Sequence, residues 1–220
     1  MLLKAILLGK LRIFKKQKTL DFASHHCQLR ERNALIINSL GNESKWILDV
    51  GSNQGVTASA LSRKGHFCLG LEMSKEEYKL SVRTADSRSA FMNMPVTAEI
   101  VEMMPKWDAV LLLSVLHRIY SLKGEEEMYQ LLRAIGKKSN ILFIEGSIRH
   151  ARYIDHGEPP PNFIDLDVTS ADSWHRKILW GSLGKEWIFV KATKFKCSKK
   201  EPYRLFYQLQ KHTDQDEFNV

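Results

Sequence analysis

The segment Asp49-Val-Gly-Ser-Asn-Gln-Gly55 constrains the fold more than any other part of this chain; it is entered from the apolar run Trp46-Ile47-Leu48 and left through Val56-Thr-Ala-Ser-Ala-Leu61. It reads as a strand, a glycine turn and a helix. Glycine at each end of the turn is expected to let backbone approach a ligand without a Cβ in the way. The next strand, over 67–71, runs into Glu72, at roughly the 20-residue offset where a carboxylate can accept both ribose hydroxyls of a nucleoside.

The turn also discriminates among nucleoside cofactors. A dinucleotide needs its pyrophosphate held at a helix N-terminus through a complete G-x-G-x-x-G pattern, and Asn53 and Gln54 stand where that pattern wants glycine. No Gly-Lys-Ser/Thr follows, which excludes a Walker loop. S-adenosylmethionine has a ribose and no phosphate, so it needs the close backbone and the ribose acid alone.

The rest of the chain alternates. Helices are expected over 54–64, 74–84, 97–104, 124–137 and 170–182, and short apolar strands over 46–50, 67–71, 90–94, 107–113 and 140–144. Such runs belong to a parallel sheet covered on both faces. Two further strands, over 187–193 and 203–209, are joined by a Lys-rich connection and form an antiparallel pair closing the sheet.

Length and charge set outer bounds. The 220 residues are enough for one ordinary domain with a substantial core, and 44% hydrophobic with 26% charged residues is globular. The net charge of +8 favours an anionic partner, whether nucleic acid, a glycan or phosphate, or a membrane face. Cys27, Cys68 and Cys197 are odd in number and lack a C-x-x-C spacing, so neither a disulfide framework nor a metal site is suggested and a cytoplasmic location is expected. Leu3, Leu7, Leu11 and Phe14 recur at helical spacing among Lys4, Arg12, Lys15 and Lys16. Residues 1–18 therefore read as a basic amphipathic helix, lying either on an anionic membrane or against the domain.

The order of these motifs resembles the class I S-adenosylmethionine-dependent methyltransferases over about 46–209. Four stretches carry the likeness: the 49–55 turn, the strand-ending Glu72, Trp107-Asp-Ala-Val-Leu-Leu-Leu-Ser-Val-Leu-His-Arg118, and Ile141-Leu-Phe-Ile-Glu145. The Leu-Ser-Val-Leu-His form and the Glu after strand five are also similar to methyltransferases acting on terminal phosphates. The absence of Asp/Asn-Pro-Pro-Tyr or Pro-Cys after strand four sets aside amino-group DNA methylases and 5-methylcytosine chemistry.

The resemblance implies an α/β, Rossmann-like, seven-stranded sheet with an antiparallel C-terminal strand pair. It divides the chain into a helical extension (1–40), a catalytic domain (41–212) and a polar tail (213–220). It implies that Asp49 anchors the turn, that Gly51, Ser52, Asn53, Gly55 and Ser114 border the cofactor, and that Glu72 takes the ribose hydroxyls. Met73 lies against adenine or in ordinary core; Asn93, Thr97 and Glu99 are all candidates for the adenine amine. His117 is either a base for an acceptor hydroxyl or a wall of the site. Glu145 would orient the acceptor or a neighbouring arginine rather than act as a base; Arg149, His150 and Arg152 would clamp an anionic group, the alternative being a solvated loop. The activity so implied is O-methylation of a hydroxyl or phosphate on a glycan, lipid-linked or other anionic substrate. An RNA acceptor, or a binding protein without turnover, are the other readings.

Overall fold

The computed structural model describes residues 28–154 and 160–212. The helix expected over 1–18, the 213–220 tail and Cys27 lie outside the described residues. Among the described residues the order is α1 (Leu29–Leu40), β1 (Trp46–Val50), α2 (Val56–Ser62), β2 (Phe67–Glu72), α3 (Lys75–Val82), β3 (Ser89–Asn93), α4 (Ala98–Met103), β4 (Trp107–Leu113), α5 (Leu116–Lys138), β5 (Ser139–Ser147), a 3-10 turn (His150–Arg152), α6 (Val168–Leu183), β6 (Trp187–Lys196) and β7 (Tyr203–Lys211).

The strands form one sheet in the order β3-β2-β1-β4-β5-β7-β6. The first five are mutually parallel, while β7 inserts antiparallel between β5 and β6. Side chains alternate across the sheet with the period-2 pleat. Leu48, Val50, Val110, Leu112, Leu142 and Ile144 pack on one face with Leu131, Ile135 and Trp174 from α5 and α6. Ile47, Ala109, Leu111 and Phe143 pack on the other with Ile36 and Leu40 of α1 and Leu61 of α2. Helices on both faces explain why the strands are continuous apolar runs.

Three expectations are corrected. First, the helix expected from 124 begins at Leu116, because Ser114 at φ 62 turns the chain immediately after β4. Gly124, at φ 86 and ψ 177, is non-helical and separates this added first segment from the segment expected from 124. His117 is thus in a helical first turn, not in a loop. Second, α6 starts before 170: the Asp167 carboxylate accepts the Ser170 amide at 2.6 Å and caps it. Third, Cys197 is disulfide-bonded while Cys68 is free and buried, so the cysteines no longer argue for a reducing compartment. Among the described residues no helix is long and apolar enough to cross a membrane.

Candidate functional site

In open parallel sheets a ligand crevice forms where neighbouring strands send their helices to opposite faces. Here that point lies between β1 and β4, and a cavity of about 630 Å³ opens at their carboxyl ends. Its lining includes Asp49, Gly51, Ser52, Asn53, Glu72, Met73, Ser114, His117, Glu145 and Arg152. Ten residues singled out from the sequence are therefore brought together. Gly55, Arg149 and His150 are not part of this lining.

The glycine turn is tied to the neighbouring strand. The Gly51 and Ser52 amides both donate to the Leu71 carbonyl, at 2.9 and 3.0 Å, tying the turn to the end of β2. A Cβ on Gly51 would lie 2.6 Å from Val115 Cγ2, and one on Gly55 would lie 2.5 Å from Phe91 Cζ. Both have positive φ. Backbone conformation and packing against the next layer both call for glycine at these two positions.

Glu72 is fixed from two sides. One carboxylate oxygen accepts the Asn53 amide at 2.8 Å and the other accepts the Ser74 amide at 2.7 Å. An ionised carboxylate has about four acceptor positions, so one remains on each oxygen, the arrangement a vicinal diol needs. Ser74 caps α3 by accepting the Glu77 amide, so the capping role and Glu72's place in the cavity coexist. Met73 is 63% exposed on the cavity wall and is not core. Of the three adenine candidates, Asn93 donates its side-chain amide to the Glu72 and Met73 carbonyls and Thr97 caps α4. Neither they nor Glu99 line the cavity.

Asp49 is buried beneath the turn. Burial pushes its carboxyl up to about 7, against the pull of the Arg32 guanidinium and with a further push from Glu72. The backbone amide of Ala58 hydrogen-bonds to it.

The other wall is a buried charge network. Arg32 Nη1 donates to Glu145 Oε2 at 2.8 Å, and Arg204 Nη1 lies 3.5 Å from Glu145 Oε1. The Ser114 hydroxyl donates to Glu145 and accepts from Arg204. Arg204 Nη2 donates to Glu201 Oε2 at 3.1 Å, Arg152 Nε lies 3.2 Å from the same oxygen, and the Ser147 hydroxyl donates to Glu201. Burial pushes Glu145 up, but Arg32, Arg204 and the Ser114 hydroxyl outweigh it and hold it below the ordinary carboxylate range. Glu145 is thus fully engaged in holding arginines. His117, 2% exposed, is held well below the ordinary histidine range by burial and then by the charges of Arg204, Arg152 and Arg118. It is a neutral imidazole near pH 7.

Arg32, Arg118, Arg204 and Glu201 were not singled out from the sequence. A signal existed for two of them. Arg32, Ile36 and Leu40 recur every four residues, which sets the arginine on the apolar face of α1. Arg204 is a lone charge in the run Tyr203-Arg-Leu-Phe-Tyr207. Glu201 carries no comparable mark, since it lies in a polar connection yet is fully buried.

No protein-family model and no curated protein matches the sequence. Several solved structures do match the fold. The chain is similar to magnesium protoporphyrin IX methyltransferase from Synechocystis PCC 6803 with bound S-adenosylmethionine, at 15% identity over 89% of this chain and 79% of that chain (TM-score 0.58). It is similar to the bifunctional kinase-methyltransferase WbdD at 18% identity over 85% of this chain and 40% of that one (TM-score 0.60), spanning well under half of that protein. The N-methyltransferase NodS from Bradyrhizobium japonicum WM9 matches at 12% identity over 84% of this chain and 96% of its own (TM-score 0.59). With its strand order and antiparallel β7, the described chain has the class I methyltransferase fold.

Proposed function

We propose that this protein is an S-adenosylmethionine-dependent methyltransferase that methylates an oxygen, hydroxyl or phosphate, of an anionic acceptor such as a glycan or lipid-linked saccharide. One observation carries the reading: a single cavity is lined by Glu72 from β2 and by Arg204 from β7, on opposite sides of the β1/β4 crevice. The β2 side offers a carboxylate with one acceptor position left on each oxygen beside an exposed methionine. The β7 side offers guanidiniums.

The residues present fit the cofactor. Glu72 suits ribose hydroxyls, Met73 offers an apolar surface for a purine face, and about 630 Å³ falls within the roughly 300–1,000 Å³ usual for ligand cavities. S-adenosylmethionine, when bound, supplies a methyl group on a sulfonium sulfur. The protein's contribution is then mainly to hold the acceptor oxygen close and in line, which is worth up to about 7–11 kcal/mol. Arg152 and Arg204 supply positive charge for an anionic acceptor, and Glu145 and Glu201 keep both guanidiniums in place. In the linked set, Arg32, Arg152 and Arg204 face Glu145 and Glu201, leaving one positive charge in excess. Neutral His117 offers a hydrogen bond to the acceptor; an acceptor already ionised needs no base.

Calorimetric titration with S-adenosylmethionine, S-adenosylhomocysteine and NAD tests the cofactor. Micromolar binding of the first two without NAD supports the proposal and opens an acceptor screen. Absence of binding by both sinks it and favours a non-catalytic binding protein on the same fold.

A further inference from the structure

Beside the main cavity lies a second, of about 250 Å³, lined by His117, Arg118, Arg149, Ala151 and Arg152. It shares His117, Arg118 and Arg152 with the main cavity, whereas Arg149 and Ala151 belong to it alone. We infer that this side cavity is an anion subsite: it holds a phosphate group of the acceptor while the oxygen that receives the methyl group lies in the main cavity, across His117. The inference rests on the methyltransferase reading for the second half of that statement, but the anion site stands on its own geometry.

Among the described residues the lining has three guanidiniums and no carboxylate. Arg152 engages Glu201 through Nε, and a guanidinium has five N–H donors in a planar fork, so one ion pair leaves several directed elsewhere. Arg149 precedes the 3-10 turn and is anchored by its backbone amide, which donates to the Ser147 hydroxyl at 3.2 Å. That places its side chain without using it.

Two independent features point the same way. His117 and Arg118 belong to the first turn of α5, a helix whose N-terminus has no side-chain cap. The positive end of the helix dipole therefore adds to the arginine charge. His117 itself is almost completely buried, and its Nδ1 has no hydrogen-bond partner among the described residues. Like charges gathered in a part-buried place repel one another, and an anion beside them relieves that repulsion. Consistently, Arg152 sits below its ordinary value through burial and then the Arg204, Arg118 and Arg149 charges. The volume suits a phosphate with a few waters, given about 30 Å³ per water.

The test is calorimetric titration of the full chain with inorganic phosphate and, separately, acetate at low ionic strength, on the wild type, Arg149→Gln and Arg149→Lys. Arg133→Gln serves as a surface control, since Arg133 is a half-exposed partner of Glu126. The expected result is phosphate binding weakened roughly tenfold by Arg149→Gln, less by Arg149→Lys and not by Arg133→Gln. S-adenosylhomocysteine affinity should stay the same throughout. Equal phosphate binding by wild type and Arg149→Gln, or none by the wild type, overturns the subsite. Acetate binding as tightly as phosphate overturns the phosphate assignment. Phosphate binding that depends on Arg149 in a protein that ignores S-adenosylhomocysteine would keep the subsite and remove the methyltransferase reading.

Discussion

Arg32 and Glu145 stand 113 positions apart in the chain, and their side chains meet in a 2.8 Å ion pair with both partners almost fully buried. The pair joins the first described helix to the end of the fifth strand. It makes α1 part of the site rather than an accessory to it. Removing one partner leaves the other charge buried without its main partner, which costs about 3–5 kcal/mol in general. Arg204 still faces Glu145, so Arg32→Ala is expected near the lower end, about 3 kcal/mol. Urea unfolding of Arg32→Ala, Glu145→Gln and the double variant measures this, and the double should cost less than the two singles together.

Stability should respond to pH in two opposed ways. Asp49 is raised from 3.8 to about 7, so its contribution is full below pH 4 and is lost as pH rises toward 7. His175 is lowered from 6.5 to about 4 by burial, and its contribution is present above pH 6.5 and lost as pH falls toward 4. The two slopes oppose each other across pH 4–6.5. Asp49→Asn should remove one of them, leaving stability that rises with pH over that window. Chemical denaturation at a series of pH values reads the slope directly.

Gly55→Ala should destabilise the fold by about 2 kcal/mol, combining left-handed backbone strain with the Phe91 contact. Adding Phe91→Leu should relieve the contact and leave the strain, so the double variant recovers part of the loss relative to Phe91→Leu alone. Thermal unfolding of the four proteins distinguishes this from a purely ligand-facing glycine, whose replacement would leave the apo protein's stability unchanged.

Glu72→Gln should weaken S-adenosylhomocysteine binding by roughly 10–100-fold, the range for losing a hydrogen bond to a charged acceptor. The glutamine amide must also face one of the two amides that Glu72 now accepts, so Glu72→Asp, which keeps the charge and shortens the reach, is the useful companion. Wild-type affinity in both variants would remove Glu72 from the cofactor site.

The sheet was legible because its signals are local. A buried parallel strand such as Trp107–Leu113 writes its environment into consecutive apolar residues. The Asp49-to-Gly55 turn and Glu72 were legible for the same reason, being adjacent through the β1–β2 register. Gly124 is a true break in α5, and the helical segment before it was missed because only the left-handed backbone of Ser114 shows that the chain has already turned into a helix.

The sequence by itself determined the α/β alternation, the glycine turn and ten of the residues that meet at the crevice, since each depends on periodicity or on contacts within one strand-helix unit. Only the tertiary structure decided what the charges do. Whether Glu145 holds an acceptor or an arginine depends on side chains from α1 and β7, whose approach to β5 no local pattern encodes. The same holds for the division of Arg118, Arg149 and Arg152 between two cavities: spacing along the chain gives the charges, and the packing of the 3-10 turn against α5 gives the place where they converge.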